Sequence, residues 1–136
     1  MTLFVDTSVW SLALRRDVTP DIPEVIALKQ SLESGQAITT TGFVLQELLQ
    51  GFAGPKASAA IVERFRSIPF VTPDRQDHVN AAALRNHCRR SGIQTGTIDA
   101  LIAQLCIRHD LSLLTTDSDF KHIKRFVDDL RLWTTG

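Results

Sequence analysis

Cysteine is scarce in this 136-residue sequence, and the two present, Cys88 and Cys106, form no CxxC pair and stand near no histidine at zinc-ligand spacing. No disulfide framework or zinc site is expected, and both thiols read as helix positions in a reducing compartment. The histidines, His78, His87, His109 and His122, make no HxxxH or HxH pair and read as solvated helix residues. An excess of charge is missing too. Fifteen Lys plus Arg balance fifteen Asp plus Glu, so there is no general cationic coat for nucleic acid, and any contact with a polyanion must be focused. No apolar run approaches the ~20 residues of a membrane span, and Asp6 interrupts the first apolar stretch, so neither a membrane segment nor a signal peptide is expected. A cytoplasmic protein is the expectation.

What is present is a regular alternation. Short apolar runs at 3–5, 37–40, 69–73, 111–115 and 130–134 read as strands. Between them lie helical patterns: Val9, Leu12 and Ala13 after the first strand; Val25, Ile26, Leu28 and Leu32 after an Asp21 cap and a first-turn Pro23, ending near Gly35; Phe43 to Gln50; and Ile61, Val62, Phe65 and Ile68. Further helices are expected over 76–90, ended by Gly92, over 98–108 and over 118–126. Strands alternating with helices, without repeats or a linker, predict one α/β domain with a mainly parallel sheet and right-handed crossovers. Ligands in such sheets sit beyond the carboxyl ends of the strands.

Acids occupy those ends. Asp6 closes the first strand and Asp117 follows the 111–115 strand. If the two strands are neighbours, the carboxylates face one another, and like charges so placed raise each other's pKa unless a cation or shared proton intervenes. Glu47 lies at the margin of an apolar helix face, aligned with Phe43 and Gly51. Asp99 opens the helix TIDALIAQLCIR on the side of Ile102 and Cys106 and should point inward. Each acid has an ordinary alternative: Asp117 or Ser118 as a helix cap, Asp99 as a first-turn acid, Asp6 as a cap, Glu47 as a solvated glutamate. Together they offer hard oxygen donors that suit Mg²⁺ or Mn²⁺, one ion or two, and such a pocket supports phosphodiester hydrolysis. Hydroxyls at Thr7, Ser8 and Thr115 stand beside the acids, with packing or helix-start roles as their alternatives.

DTSVW at 6–10, LQELLQG at 45–51, GTIDALIAQ at 96–104 and LLTTDSDF at 113–120 resemble, in order and spacing, the four motifs of PIN-domain ribonucleases, most closely the VapC toxins of VapBC toxin–antitoxin modules. The resemblance implies a single PIN-like domain over residues 1–136, α/β, with a parallel sheet of about five strands flanked by helices on both faces. It implies Mg²⁺-dependent endoribonuclease activity, with Mn²⁺ able to substitute, leaving a 3′-hydroxyl and a 5′-phosphate. By it, Asp6, Glu47, Asp99 and Asp117 match the acidic quartet that binds metal and carries catalysis, Asp119 matches a fifth acid, and Thr7, Ser8 and Thr115 match supporting hydroxyls. It further implies a homodimer silenced by a cognate antitoxin. Gln104 and Cys106 depart from the alanines frequent at those places.

RNA contacts are expected from Arg15 and Arg16 or from Arg85, Arg89 and Arg90. Trp10 and Phe120 are candidates for stacking a base, with core packing as the competing role. An antitoxin groove is expected around Val25, Leu28, Leu32 and residues 57–68. The rival from another class is a Mg²⁺-binding phosphoacceptor receiver, which requires paired acids at the first strand end and a lysine after a late strand. Phe4 and Val5 precede Asp6 here, and Lys121 falls within a helical pattern.

Overall fold

A computed structural model describes every residue except Arg16, Val18 and Gly136. In chain order the elements are β1 (Leu3–Val5), α1 (Thr7–Ala13), α2 (Pro23–Ser34), β2 (Ile38–Thr39), α3 (Gly42–Gly51), α4 (Pro55–Phe65), α5 (Arg75–Arg90), α6 (Thr97–Arg108), β3 (Ser112–Leu114), α7 (Asp119–Phe126) and β4 (Arg131–Leu132). The strands form one parallel sheet in the order β2-β1-β3-β4. All three β1 residues are buried, as expected of a strand covered on both faces.

About five strands were expected and four form. The 69–73 stretch contributes a single parallel bridge, Thr40 to Phe70. Pro69 and Pro73 bracket that stretch and supply no N–H, so pairing stops after Thr40 N–H meets Pro69 O at 3.1 Å and Val71 N–H meets Thr40 O at 2.7 Å. The cap assigned to Asp21 also moves. Pro23 forces the preceding residue into extended backbone, so Ile22, at φ −111° and ψ 154°, is the N-cap of α2 and makes no side-chain cap bond. Gly35, at φ +74°, ends that helix in the left-handed conformation.

From β1 the chain crosses to β2 on one side, then returns past β1 to β3 and β4 on the other. The reversal lies between β1 and β3, where Leu3, Phe4 and Val5 pair with Ser112, Leu113 and Leu114. The residues that leave the two strands, Asp6 and Thr115, therefore emerge side by side, and Asp6 N–H reaches Leu114 O at 2.9 Å. This is the topological switch point at which open α/β sheets bind ligands.

The core beneath includes Phe4, Val5, Trp10, Leu28, Leu113, Leu114 and Phe120, each at most 1% exposed. Trp10 packs against Phe65 with ring centroids 4.9 Å apart. Neither Trp10 nor Phe120 is open to a base, so packing is their role. Val25 and Leu28 are buried as well, which removes them from the expected antitoxin groove, whereas Leu32 and Val62 remain exposed. Among the described residues no helix is long and apolar enough to cross a membrane.

Candidate metal centre

Beyond the switch point, one carboxylate oxygen each from Asp99, Asp117 and Asp119 lies within 4.8 Å of the others. Three elements deliver them. Asp99 is in the first turn of α6, whose inward side is fixed by the buried Ile102 and Cys106. Asp117 sits in the link that leaves β3, and Asp119 begins α7. Asp117 Oδ1 accepts the Asp119 N–H at 2.9 Å, which ties the two acids into one turn. Asp117 therefore does part of what a capping residue does, in addition to facing Asp99.

Asp6 is 7% exposed and approaches from the β1 side. Its Oδ2 accepts from Ser8 Oγ and from Thr115 Oγ1, both at 2.8 Å. Thr115 Oγ1 in turn accepts the Asp117 N–H at 3.0 Å, and Ser8 Oγ accepts the Thr116 N–H at 3.1 Å. The two hydroxyls thus lace the end of β1 to the end of β3. Glu47, exposed on α3, accepts from Thr7 Oγ1 at 3.2 Å. A Cβ on Gly51, one turn after Glu47, would meet nothing within 4 Å, so no close approach requires a glycine there.

Electrostatics unite the set. Burial, and after it the charges of Asp117, Asp6, Asp119 and Glu47, push the Asp99 carboxyl from 3.8 up to about 6. Asp99, Asp117 and Asp119 form the mutually close trio, and Asp6 and Glu47 also act on Asp99. Cys106 lies under the site, its thiol pushed up by burial and by Asp6, so it stays neutral. The donors are all oxygens and repel one another, a combination that fits a hard divalent cation and not zinc. All four histidines are exposed and none joins the trio.

The arginines divide. Arg15 is committed to Asp17 at 3.0 Å, and Arg16 lies outside the described residues. Arg85 and Arg89 line one cleft together with Ile93, Gln94, Thr95 and Gly96, directly ahead of α6, and Arg90 is exposed outside that cleft. Sequence reasoning missed Thr95, which carries no charge or periodic signal. It also missed the cluster at the far end of α6, where Gln104 and Arg108 bond to Asp77 of α5. The capping box between Asp74 and Asp77 was the available clue.

A family model described as PIN domain matches residues 3–126. The comparison with curated proteins returns no match. Among solved structures the chain is similar to VapBC-1 from nontypeable Haemophilus influenzae, with a TM-score of 0.73 and 19% identity over 98% of this chain and 97% of that one. It is similar to VapBC2 from Rickettsia felis, solved bound to a DNA fragment from their promoter, with a TM-score of 0.74 and 21% identity over 98% and 100%. It is also similar to the sarcin–ricin-loop-cleaving toxin VapC20 of Mycobacterium tuberculosis, with a TM-score of 0.66 and 19% identity over 88% and 92%. At these identities the likeness is one of fold. The family match, by contrast, runs from β1 through α7 and takes in every acid of the site: the chain belongs to the PIN domain family.

Proposed function

We propose that the protein is a Mg²⁺-dependent endoribonuclease, with Mn²⁺ able to substitute, and the toxin of a type II toxin–antitoxin pair. The observation that carries this reading is the grouping of Asp99, Asp117 and Asp119, whose carboxylate oxygens lie within 4.8 Å of one another beyond the switch point of the sheet, and burial together with the neighbouring acids raises the Asp99 carboxyl. Charge of one sign gathered there destabilises the free protein and is relieved by a cation. Similarity to a toxin that cleaves the sarcin–ricin loop, and to VapBC structures, points the chemistry toward RNA and the partner toward an antitoxin.

In this reading Asp6, Glu47, Asp99 and Asp117 hold the metal, with Asp119 as a further ligand. The ion, when bound, lowers the pKa of water and stabilises charge on phosphodiester oxygens. The chain's own residues set the geometry. Every bond that Ser8 and Thr115 make to Asp6 falls on Oδ2, which fixes the carboxylate plane and leaves Oδ1 for the site. Thr7 steadies Glu47 in the same way. Single-stranded RNA is the substrate class, because an unstacked backbone can bend a phosphate toward acids set beyond the strand ends. The products are a 3′-hydroxyl and a 5′-phosphate, and the setting is a cytoplasmic homodimer comprising one domain per chain.

Asp6→Asn tests the site. It should abolish RNA cleavage, read by sequencing RNA ends after brief induction, while the circular dichroism spectrum is unchanged. A fully active variant overturns the metal-site reading. Co-expression with the neighbouring upstream gene tests the partner, and a chain that stays monomeric and unbound removes the toxin–antitoxin assignment.

A further inference from the structure

The cleft that Arg85 and Arg89 share has a volume of about 380 Å³ and is lined by Ile93, Gln94, Thr95 and Gly96 besides the two arginines, with no acid among them. Arg89 has no acidic partner among the described residues: the ion pairs there take up Arg15, Arg66, Arg108 and Arg131. Arg85 Nε donates to Thr95 O at 2.7 Å, which pins its guanidinium to the cleft wall. Thr95 itself is 6% exposed, and its Oγ1 has no hydrogen-bond partner. A buried hydroxyl left unpaired is costly, and such groups are ordinarily satisfied by a ligand or an ordered water. Gly96 then starts α6 without any side-chain cap, so the first-turn N–H groups of that helix lack a side-chain acceptor.

These features lie against the acids. A Cβ added to Gly96 would come within 3.9 Å of Asp99 Oδ2, so the cationic cleft and the acidic trio share one edge. RNA is a polyanion, and an acidic cluster repels it. A cationic seat beside that cluster offsets the repulsion where the strand must approach.

We propose that this cleft is a subsite for a backbone phosphate of single-stranded RNA flanking the cleaved bond, with Arg89 and Arg85 supplying charge and Thr95 a hydroxyl. The proposal rests on the endoribonuclease reading. Arg85 has a second task, since its bond to Thr95 O also holds the turn that leads into Asp99.

Binding of a short fluorescent single-stranded RNA to the metal-free protein, followed by anisotropy over a range of salt concentrations, tests it without turnover. Arg89→Gln should weaken binding and reduce the slope of log affinity against log salt by about 0.7, the value for one lost phosphate contact on a single strand. Arg89→Lys should keep the parental slope, and Thr95→Val should weaken binding with the slope unchanged. If the parent cleaves RNA in Mn²⁺ but Arg89→Gln keeps the parental slope, the subsite is overturned and the nuclease reading stands. A parent that neither binds nor cleaves RNA overturns both.

Discussion

Asp6 and Thr115 are 109 residues apart in sequence, and Thr115 Oγ1 donates to Asp6 Oδ2 at 2.8 Å. The same oxygen accepts the Asp117 N–H at 3.0 Å. The Thr115 hydroxyl therefore sets the orientation of the acid that follows β1 and the backbone of the acid that follows β3.

Thr115→Val keeps the shape of the side chain and removes its bonds to Asp6, to the Asp117 N–H and to Ser8 Oγ. Groups that orient metal ligands typically contribute 10–100-fold to metal affinity or activity. We expect a loss of about that size in Mn²⁺ affinity, measured by calorimetry, and in RNA cleavage, with the fold intact by circular dichroism. Parental affinity in the variant would show that the hydroxyl only packs.

Asp117→Asn separates the electrostatic role of this acid from its role in the turn. Asparagine keeps a carbonyl oxygen to accept the Asp119 N–H, so the turn survives while a negative charge beside Asp99 disappears. Without metal the variant should melt at or above the parent. In excess Mn²⁺ the parent should gain more, about 2.7 kcal/mol at ~100 times the dissociation constant. An unchanged melting temperature without metal, together with the same gain in Mn²⁺ for both proteins, would mean that Asp117 serves only the turn. Asp119, which is exposed, should matter less: Asp119→Asn is expected to retain more cleavage activity than Asp117→Asn.

The raised Asp99 carboxyl makes stability depend on pH in a stated direction. Folding lifts its pKa from 3.8 to about 6, so between those values the folded chain holds more protons than the unfolded one. Stability then falls as pH rises through that window. For the metal-free protein, the difference in urea stability between the parent and Asp99→Asn should shift against the parent from about pH 4 to about pH 6. Saturating Mn²⁺ should reverse the trend, because metal and proton compete for the carboxylate. A difference that stays flat across the window would mean that neither burial nor the neighbouring acids raise the Asp99 carboxyl.

At the opposite end of α6 the balance is structural. Asp77 has no exposed side-chain surface, and Arg108 meets it through Nε at 2.7 Å and through a terminal nitrogen at 2.8 Å. Burial works to raise the Asp77 pKa, but the Asp74 backbone N–H, Arg108 and Gln104 together hold it below the usual carboxylate value. Arg108→Met strips a buried carboxylate of its ionic partner and should cost about 2–3 kcal/mol in urea unfolding near pH 7. The pair's contribution is present above the unfolded carboxyl pKa and is lost as pH falls through the depressed folded value. A change below about 0.5 kcal/mol would show that Gln104 and the Asp74 N–H suffice.

Much of this was legible in the sequence because it follows from period and position. Asp6 and Asp117 were placed at strand ends by the apolar runs before them, and Asp99 was turned inward by its spacing from Ile102 and Cys106. Periodicity gives the face of an element and not its distance from another element. For that reason the tight grouping of Asp99 with Asp117 and Asp119, the buried and doubly bonded setting of Asp6 and the exposed position of Glu47 appear only in three dimensions. Local chemistry overrode simple patterns at Ile22, where the following proline displaced Asp21 from the cap, and at Pro69 and Pro73, which reduced a strand to one bridge. Arg15 looked like a free cation until Asp17, two residues on, was found to hold it. Thr95 was invisible because a lone threonine in a turn carries no pattern.

The pairing of β3 directly with β1 also governs when the site comes into being. A nascent chain that has delivered everything through α6 already holds Asp6, Glu47 and Asp99, yet it lacks the strand that docks beside β1 and the two acids that follow it. Contacts of such long sequence separation form late and slowly. The order of synthesis thus sets the order of assembly: the acidic centre is complete only once β3 has emerged and found its place next to the first strand.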